Sequence, residues 1–321
     1  MAWKNIFKAL KKDDPVGLPN PAETSHSFHS PAEPVGESVT LENGSSKALP
    51  TVKAFILQKE GNSFEECEDS VDFSLERRRF AVSDGATESV FADLWSRGLI
   101  QQFLKCEMFP SVENFQAWLK PVQDEWREQI DWDNLPWFTE QKIEHGAFAA
   151  FVGIEFSSKT QLDEGQEILY FKVMAVGDCC LFQIRDNQLI KSFPIQESRL
   201  FDNQPDLLCS TTKGNPYLDE QARSYTGACL QGDSFILASD ALACWFLAQW
   251  ESGELPWETL DFLNEQIDFE VFVMTQRHEG WLKNDDTTLL VLKWDFQRCD
   301  GSNDGSNPNP NPNPLTQGGL Q

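Results

Sequence analysis

Three times along this chain an apolar run ends at an aspartate flanked by small residues, and a fourth run starts just after a pair of them. Phe80-Ala81-Val82-Ser83 leads into Asp84-Gly85-Ala86, Val173-Met174-Ala175-Val176 into Gly177-Asp178, and Phe235-Ile236-Leu237-Ala238-Ser239 into Asp240-Ala241. Asp285-Asp286 opens Thr287-Thr288-Leu289-Leu290-Val291, and Glu68-Asp69 lies just upstream of the first run. Short apolar runs bounded by turn residues read as strands. A strand end fixes a side chain, and strand ends on one sheet edge converge. Carboxylates that converge there repel one another unless cations neutralise them. Hard oxygen donors with open water positions suit magnesium or manganese. A pair of such ions can ionise a water and hold a phosphoryl group for in-line attack. Taken singly, each acid has a plainer reading. Asp-Gly after a strand is ordinary turn chemistry, and Asp178 or Asp285-Asp286 alone would serve as solvated strand caps. The repetition is what favours a metal site. No Ser-His-Asp order and no reactive-cysteine signature competes with it.

Between residues 50 and 296 the pattern is that of one folded unit. Strands are expected at Val52–Gln58, Phe80–Ser83, Ala147–Phe156, Ile168–Val176, Leu181–Ile184, Ser234–Ala238 and Thr288–Trp294, with a hairpin turn at Asp186-Asn187-Gln188. Helices are expected at Ser89–Glu107, Val112–Ile130, Leu242–Gln249 and Trp257–Thr275. Strands follow strands more often than they alternate with helices, which favours antiparallel sheets with helices packed outside. Residues 13–49 are rich in Pro, Ser, Glu and Gly and read as a flexible linker, and 297–321 as a disordered Asn/Pro-rich tail. Residues 1–12 stand apart: Trp3, Ile6, Phe7 and Leu10 recur at helical spacing among Lys4, Lys8, Lys11 and Lys12. This basic amphipathic helix suits a partner protein, a membrane surface, or packing on its own domain.

The formal net charge of -25 excludes nucleic acid as a natural partner. It should also repel phosphorylated proteins, unless cations reverse the sign locally. The eight cysteines show no CxxC pair and no zinc spacing, and read as reduced thiols of a cytoplasmic protein. No apolar run approaches the length of a membrane span. Residence in the cytoplasm, peripheral to a membrane if residues 1–12 touch one, is the expectation.

The ordered motifs resemble the protein phosphatase 2C family over about residues 51–296. Glu66-Cys67-Glu68-Asp69-Ser70 resembles its first acidic motif and Phe80–Gly85 its apolar-Asp-Gly signature. Val176-Gly177-Asp178-Cys179 resembles its Val-Gly-Asp-Ser motif, Phe235–Asp240 the stretch ending in Ser-Asp-Gly, and Asp285-Asp286-Thr287-Thr288 the closing Asp-Asn/Asp-x-Thr. Asp-Gly-Ala-Thr-Glu-Ser, where better-known members carry Asp-Gly-His-Gly-Gly, is similar to divergent bacterial members. The resemblance implies an α+β fold, a four-layer α-β-β-α sandwich of two antiparallel sheets flanked by helices. It implies a phosphoprotein phosphatase that hydrolyses phosphoserine and phosphothreonine with two manganese or magnesium ions. Asp84 would bridge the ions and the Gly85 carbonyl bind the first. Asp240 and Asp285 would bind the second, and Glu68 and Asp69 would hold waters around the first. Asp178 matches a residue that helps bind a weaker third ion. The partners implied are a phosphorylated protein and an opposing serine/threonine kinase.

Departures from the family pattern set an alternative beside this. Ala86 stands where many members carry a histidine proposed as general acid. Lys59 is a weak stand-in for an arginine that some members place before the acidic motif to grip phosphate. His145 is a second weak phosphate candidate, against a plainer role as a surface or capping residue. Asp240-Ala241-Leu242-Ala243-Cys244 lacks the usual Gly and a second Asp, which bears on the third ion. The alternative is a catalytically weak relative acting as a regulatory module that binds phosphoproteins or a kinase. The tryptophans between Trp126 and Trp137 fit either a docking flap or core packing.

Overall fold

The computed structural model describes residues 49–295, apart from 88, 133, 134, 136, 158–160, 164, 165 and 203. The N-terminal basic helix, nearly all of the linker and the C-terminal tail expected from the sequence lie outside the described residues. Within them the chain order is β1 (Thr51–Leu57), β2 (Ser70–Ser74), β3 (Arg79–Gly85), α1 (Ala92–Lys105), α2 (Phe115–Glu128), α3 (Trp137–His145) and β4 (Phe148–Phe156). Then follow β5 (Gln161–Asp163), β6 (Gln166–Val176), β7 (Cys180–Arg185), β8 (Gln188–Phe193), β9 (Leu208–Cys209), α4 (Leu218–Gln221), β10 (Arg223–Cys229) and β11 (Ser234–Ala238). The last elements are α5 (Asp240–Glu251), α6 (Pro256–Asp261), α7 (Gln266–His278) and β12 (Thr287–Lys293).

The strands form two antiparallel sheets. One has the order β1-β12-β11-β7-β8; the other runs β10-β6-β4-β3-β2, with β5 against β6 and β9 against β4. Alternation along the strands builds the layers, because successive side chains point to opposite faces. Phe80 and Val82 of β3, Phe235 and Leu237 of β11, and Leu290 and Leu292 of β12 meet in the core between the sheets. Ile236, Leu289 and Val291 face the other way, onto Leu242 and Phe246 of α5 and Phe269, Phe272 and Val273 of α7. Ala81, Phe151 and Met174 back onto Trp95, Leu99 and Phe103 of α1 and Leu119 and Val122 of α2. The result is the four-layer α-β-β-α sandwich expected of the chain. Strands buried on both faces read as continuous apolar runs, as β11 and β12 do.

Several boundaries differ from the sequence reading. β2, β8 and β10 carry mixed polar residues such as Ser70-Val71-Asp72-Phe73-Ser74 and were not expected as strands; each sits at the edge of its sheet, where one side is wet. The helix expected over Trp257–Thr275 is two helices. Leu263-Asn264-Glu265 interrupts it, and the Asp268 carboxylate accepts from the Asn264 and Glu265 amides at 3.1 and 3.2 Å, capping the second. The Asp186-Asn187 turn is as expected: both residues have positive φ (49° and 59°), and Arg185 pairs with Gln188 across it. Trp126 belongs to the core, edge-on to Trp95, whereas Trp132 lies on the surface under the Arg127 guanidinium.

Phe156 is the hub between the sheets. Its ring lies 4.6 Å from that of Trp294, 5.1 Å from Phe235, 5.7 Å from Phe171 and 6.0 Å from Phe80. Phe156→Ala should destabilise the domain by about 3–5 kcal/mol in urea unfolding, against about 0.5 kcal/mol or less for exposed Phe64→Ala.

Candidate metal centre

Register brings the acids together. In one sheet Asp84 pairs with Ala150 and Gly85 with Ala149, while Val176 ends its ladder opposite Phe151. In the other, Ala238 pairs with both Cys180 and Leu289. The exits of β3, β6 and β11 and the start of β12 therefore lie at one end of the sandwich. A cleft of about 600 Å³ opens there, lined by Asp84, Asp178, Asp240 and Asp285, with Gly85, Ala86, Lys142, His145, Asp202 and Lys283 among the rest.

Two glycines shape the floor. A Cβ on Gly85 would stand 2.8 Å from the Glu68 carbonyl and 3.0 Å from the Ala92 Cβ, so only glycine lets β3 approach the acidic segment this closely. The Gly85 amide donates to that carbonyl at 3.2 Å. Gly177 turns with φ +91°, and a Cβ there would stand 2.7 Å from the Ala150 Cβ and 2.8 Å from the Asp206 carbonyl.

The expected residues divide by position. Asp84, Gly85, Asp178, Asp240, Asp285 and His145 line the cleft. Asp69 is buried beside it, with Oδ2 accepting from Thr288 Oγ1 at 2.7 Å. Its Oδ1 and the Oε2 of Glu68 are buried acceptors without a hydrogen-bond partner. Asp240 is the first residue of α5 and accepts from the Ala241 amide at 2.5 Å, at the helix end that favours negative charge. Lys59 does not line the cleft; its ammonium donates to Thr87 Oγ1 at 3.2 Å on the rim. Cys244, where a further acid would stand, contacts the Ser198 carbonyl instead. The paired Asp285-Asp286 splits its roles. Asp286 accepts from the amides of Lys59 and Glu68 at 2.7 and 2.8 Å and pins those segments, leaving Asp285 to the cleft.

Residues the sequence reading passed over complete the site. Lys283 Nζ lies 2.7 Å from Asp285 Oδ2 and 3.5 Å from Asp240 Oδ2. Lys142, on the last turn of α3, and Asp202 also face the cleft. None sits at a strand end or in a motif, so nothing in local sequence marked them.

The electrostatics are those of a site short of positive charge. Burial, then the charges of Asp69, Asp240, Asp178 and Asp285, push the Asp84 carboxyl well above its ordinary range. Burial lifts Asp69 to about 8 against the Thr288 hydrogen bond, and the charge of Asp286 adds to it. Burial and the Asp240 charge lift Asp178 to about 7. Asp240 and Glu68 are also raised, chiefly by burial. Among the described residues no three acid, histidine or cysteine side chains are gathered into a ready ligand cage. The donor set does fit divalent ions: all-oxygen, crowded, and with two buried oxygens lacking any partner.

No family model matches the chain, and no curated protein matches it. Solved structures do. The chain has the fold of the protein phosphatase 2C-type serine/threonine phosphatases, in a strongly diverged sequence. The serine/threonine phosphatase PstP/Ppp of Mycobacterium tuberculosis aligns with a TM-score of 0.53 at 14% identity, over 77% of this chain and 100% of that one. The catalytic domain of PstP in complex with two manganese ions aligns with a TM-score of 0.51 at 13% identity, over 77% and 99%.

Carboxyls with raised pKa bind more protons folded than unfolded, so their stabilising contribution is full below about pH 4 and is lost as pH rises through their folded values. The metal-free protein should therefore lose about 5 °C or more of Tm between pH 5 and 8.5, and millimolar magnesium should restore most of it at the upper end. Thermal melts across that range, with and without the cation, measure both effects.

Proposed function

We propose that this chain is a metal-dependent phosphoprotein phosphatase that hydrolyses phosphoserine and phosphothreonine. The observation that carries the reading is the cleft itself: four carboxylates from separate strand ends face one cavity, with two unpartnered buried oxygens beside it. Asp84, central in that set, would bridge two manganese or magnesium ions. The Gly85 carbonyl, with Glu68 and Asp69 ordering waters around it, would hold the first; Asp240 and Asp285 would hold the second. Asp178 would serve a weaker third. The ions, when bound, supply an ionised water and neutralise the phosphoryl charge. That the phosphatase domain of like fold was solved with two manganese ions supports the choice of metal.

The chain's own residues would do the rest. Lys142 and His145 stand at the mouth, where they offer donors to phosphate oxygens. The Thr288 hydroxyl, bound to Asp69 Oδ2, leaves Oδ1 directed elsewhere as an acceptor. Ala86 lines the same cleft and offers no group to protonate a leaving alkoxide, which leaves His145 as the imidazole of the cleft. The substrate would be a phosphorylated protein and the opposing enzyme a serine/threonine kinase, with residues 1–12 available to dock a partner or a membrane surface.

Phosphate release from para-nitrophenyl phosphate and a phosphothreonine peptide tests the reading. Activity should require added manganese and fall at least about 10²-fold in Asp84→Asn and in Asp240→Asn. No turnover despite tight manganese binding would move the chain to a phosphoprotein- or kinase-binding regulatory module. General acid catalysis is worth roughly 10²–10⁴ in rate. Without it, aryl phosphates, which leave unaided, should be hydrolysed faster than phosphothreonine peptides; equal or faster peptide turnover would show that another group protonates the leaving oxygen.

A further inference from the structure

Among the described residues one ammonium is ion-paired with carboxylates of the cleft; Arg277, close by, donates to the Asp285 backbone carbonyl instead. Lys283 lies in the segment between α7 and β12, and its ammonium reaches both Asp285 and Asp240, at 2.7 and 3.5 Å. The backbone on either side is pinned. The Leu282 amide donates to the Gln276 carbonyl at 3.2 Å, and the Leu282 side chain is buried among the helices under β1 and β12. Asn284 Oδ1 accepts from the Glu60 amide at 2.7 Å. The Lys283 side chain is nevertheless 60% exposed, so its stem lies along the surface and can swing away without disturbing the core.

We infer that Lys283 is a tethered competitor for the divalent ion that Asp240 and Asp285 would share. The inference rests on the two-ion reading above and adds to it an asymmetry between the ions. An incoming ion at this seat must displace a charge-assisted hydrogen bond to Asp285 and then tolerate a positive charge that the tether keeps nearby. The seat formed by Asp84, Gly85, Glu68 and Asp69 carries a lighter burden: Lys59 donates to Thr87 and reaches Glu68 only through its charge, with no ion pair to an acid of that seat among the described residues. Manganese should accordingly bind in two steps, with the weaker step under the control of Lys283. The ammonium also gives the metal-free cleft a resting state in which two of its acids are already paired, in a chain of net charge -25 where acids outnumber cations.

Calorimetric titration of manganese into the metal-stripped full chain, with bound ions counted by electron paramagnetic resonance, reads this directly. Lys283→Met, which removes the charge and keeps the length, should tighten the weaker step by about tenfold and leave the tighter step unchanged. Lys283→Arg, which keeps the charge, should stay within about threefold of the parent chain. Two ions bound with the same affinities in all three proteins would overturn the role of Lys283 and leave the two-ion reading intact. Weaker binding in Lys283→Met would make the lysine a supporter of the ion and overturn the proposal in the opposite sense. No manganese bound by any of them would overturn the two-ion reading and this proposal together.

Discussion

Repulsion among carboxylates that the backbone will not let separate is the constraint around which the structure is organised. Asp84, Asp178, Asp240 and Asp285 leave different strands but share one cleft. Two unit charges 4 Å apart at a partly buried site interact by about 4 kcal/mol. The start of α5 at Asp240 and the Lys283 ammonium offset part of that. The rest of the opposing free energy comes from the layer between the sheets, where Phe80, Phe156, Phe171, Phe235 and Trp294 pack out of water. A sandwich with that much aromatic burial can hold its acids together, where burial and one another's charge raise the carboxyl pKa of Asp84 and Asp178. A cation entering the cleft relieves the repulsion, and for that reason binding and stability are linked.

Residues behind the cleft decide which acids are offered to it. Asp286 spends both oxygens on the amides of Lys59 and Glu68 and so ties the segment after β1 and the acidic segment before β2 to the start of β12. Ser239 Oγ accepts from the Thr288 amide and Thr288 Oγ1 donates to Asp69. This chain of contacts runs from the end of β11 through β12 to the acidic segment. It uses hydroxyls and backbone where another carboxylate would add charge. Asp69 is thus presented by neutral neighbours, whereas Asp240 and Asp285 share an exposed ammonium that can swing away.

What the sequence disclosed follows from which interactions are local. The continuous apolar runs of β3, β11 and β12 and the abrupt aspartates beside them are written in consecutive residues, so both the layers and most of the acids were legible. Edge strands such as β2 and β10 were not, because a strand with one wet side carries Ser, Asp and Arg like a loop. The division of Asp285 from Asp286 was equally hidden: both are aspartates, and only the register of β12 against β1, with Leu57 opposite Thr287, turns one toward the segment after β1. Lys142 and Lys283 were invisible for the same reason. Their meaning lies in what faces them across the cleft, about 40 residues or more away in sequence in the case of Asp240 and Lys283.

The distribution of charge bears on how so acidic a protein could receive a phosphorylated one. A formal charge of -25 repels a phosphoprotein over the whole surface at low ionic strength, and salt screens that repulsion within about 10 Å. Attraction is needed only at short range, at the cleft, which Lys142 and Lys283 line together with His145. An ammonium displaced from Asp240 and Asp285 would not leave the region, since its backbone is anchored by Leu282 and Asn284. It would remain at the mouth, beside whatever anion enters. Entry of a divalent ion and entry of a phosphoryl group would then favour each other through one side chain, as any two ligands do when each moves the same competing charge in the same direction.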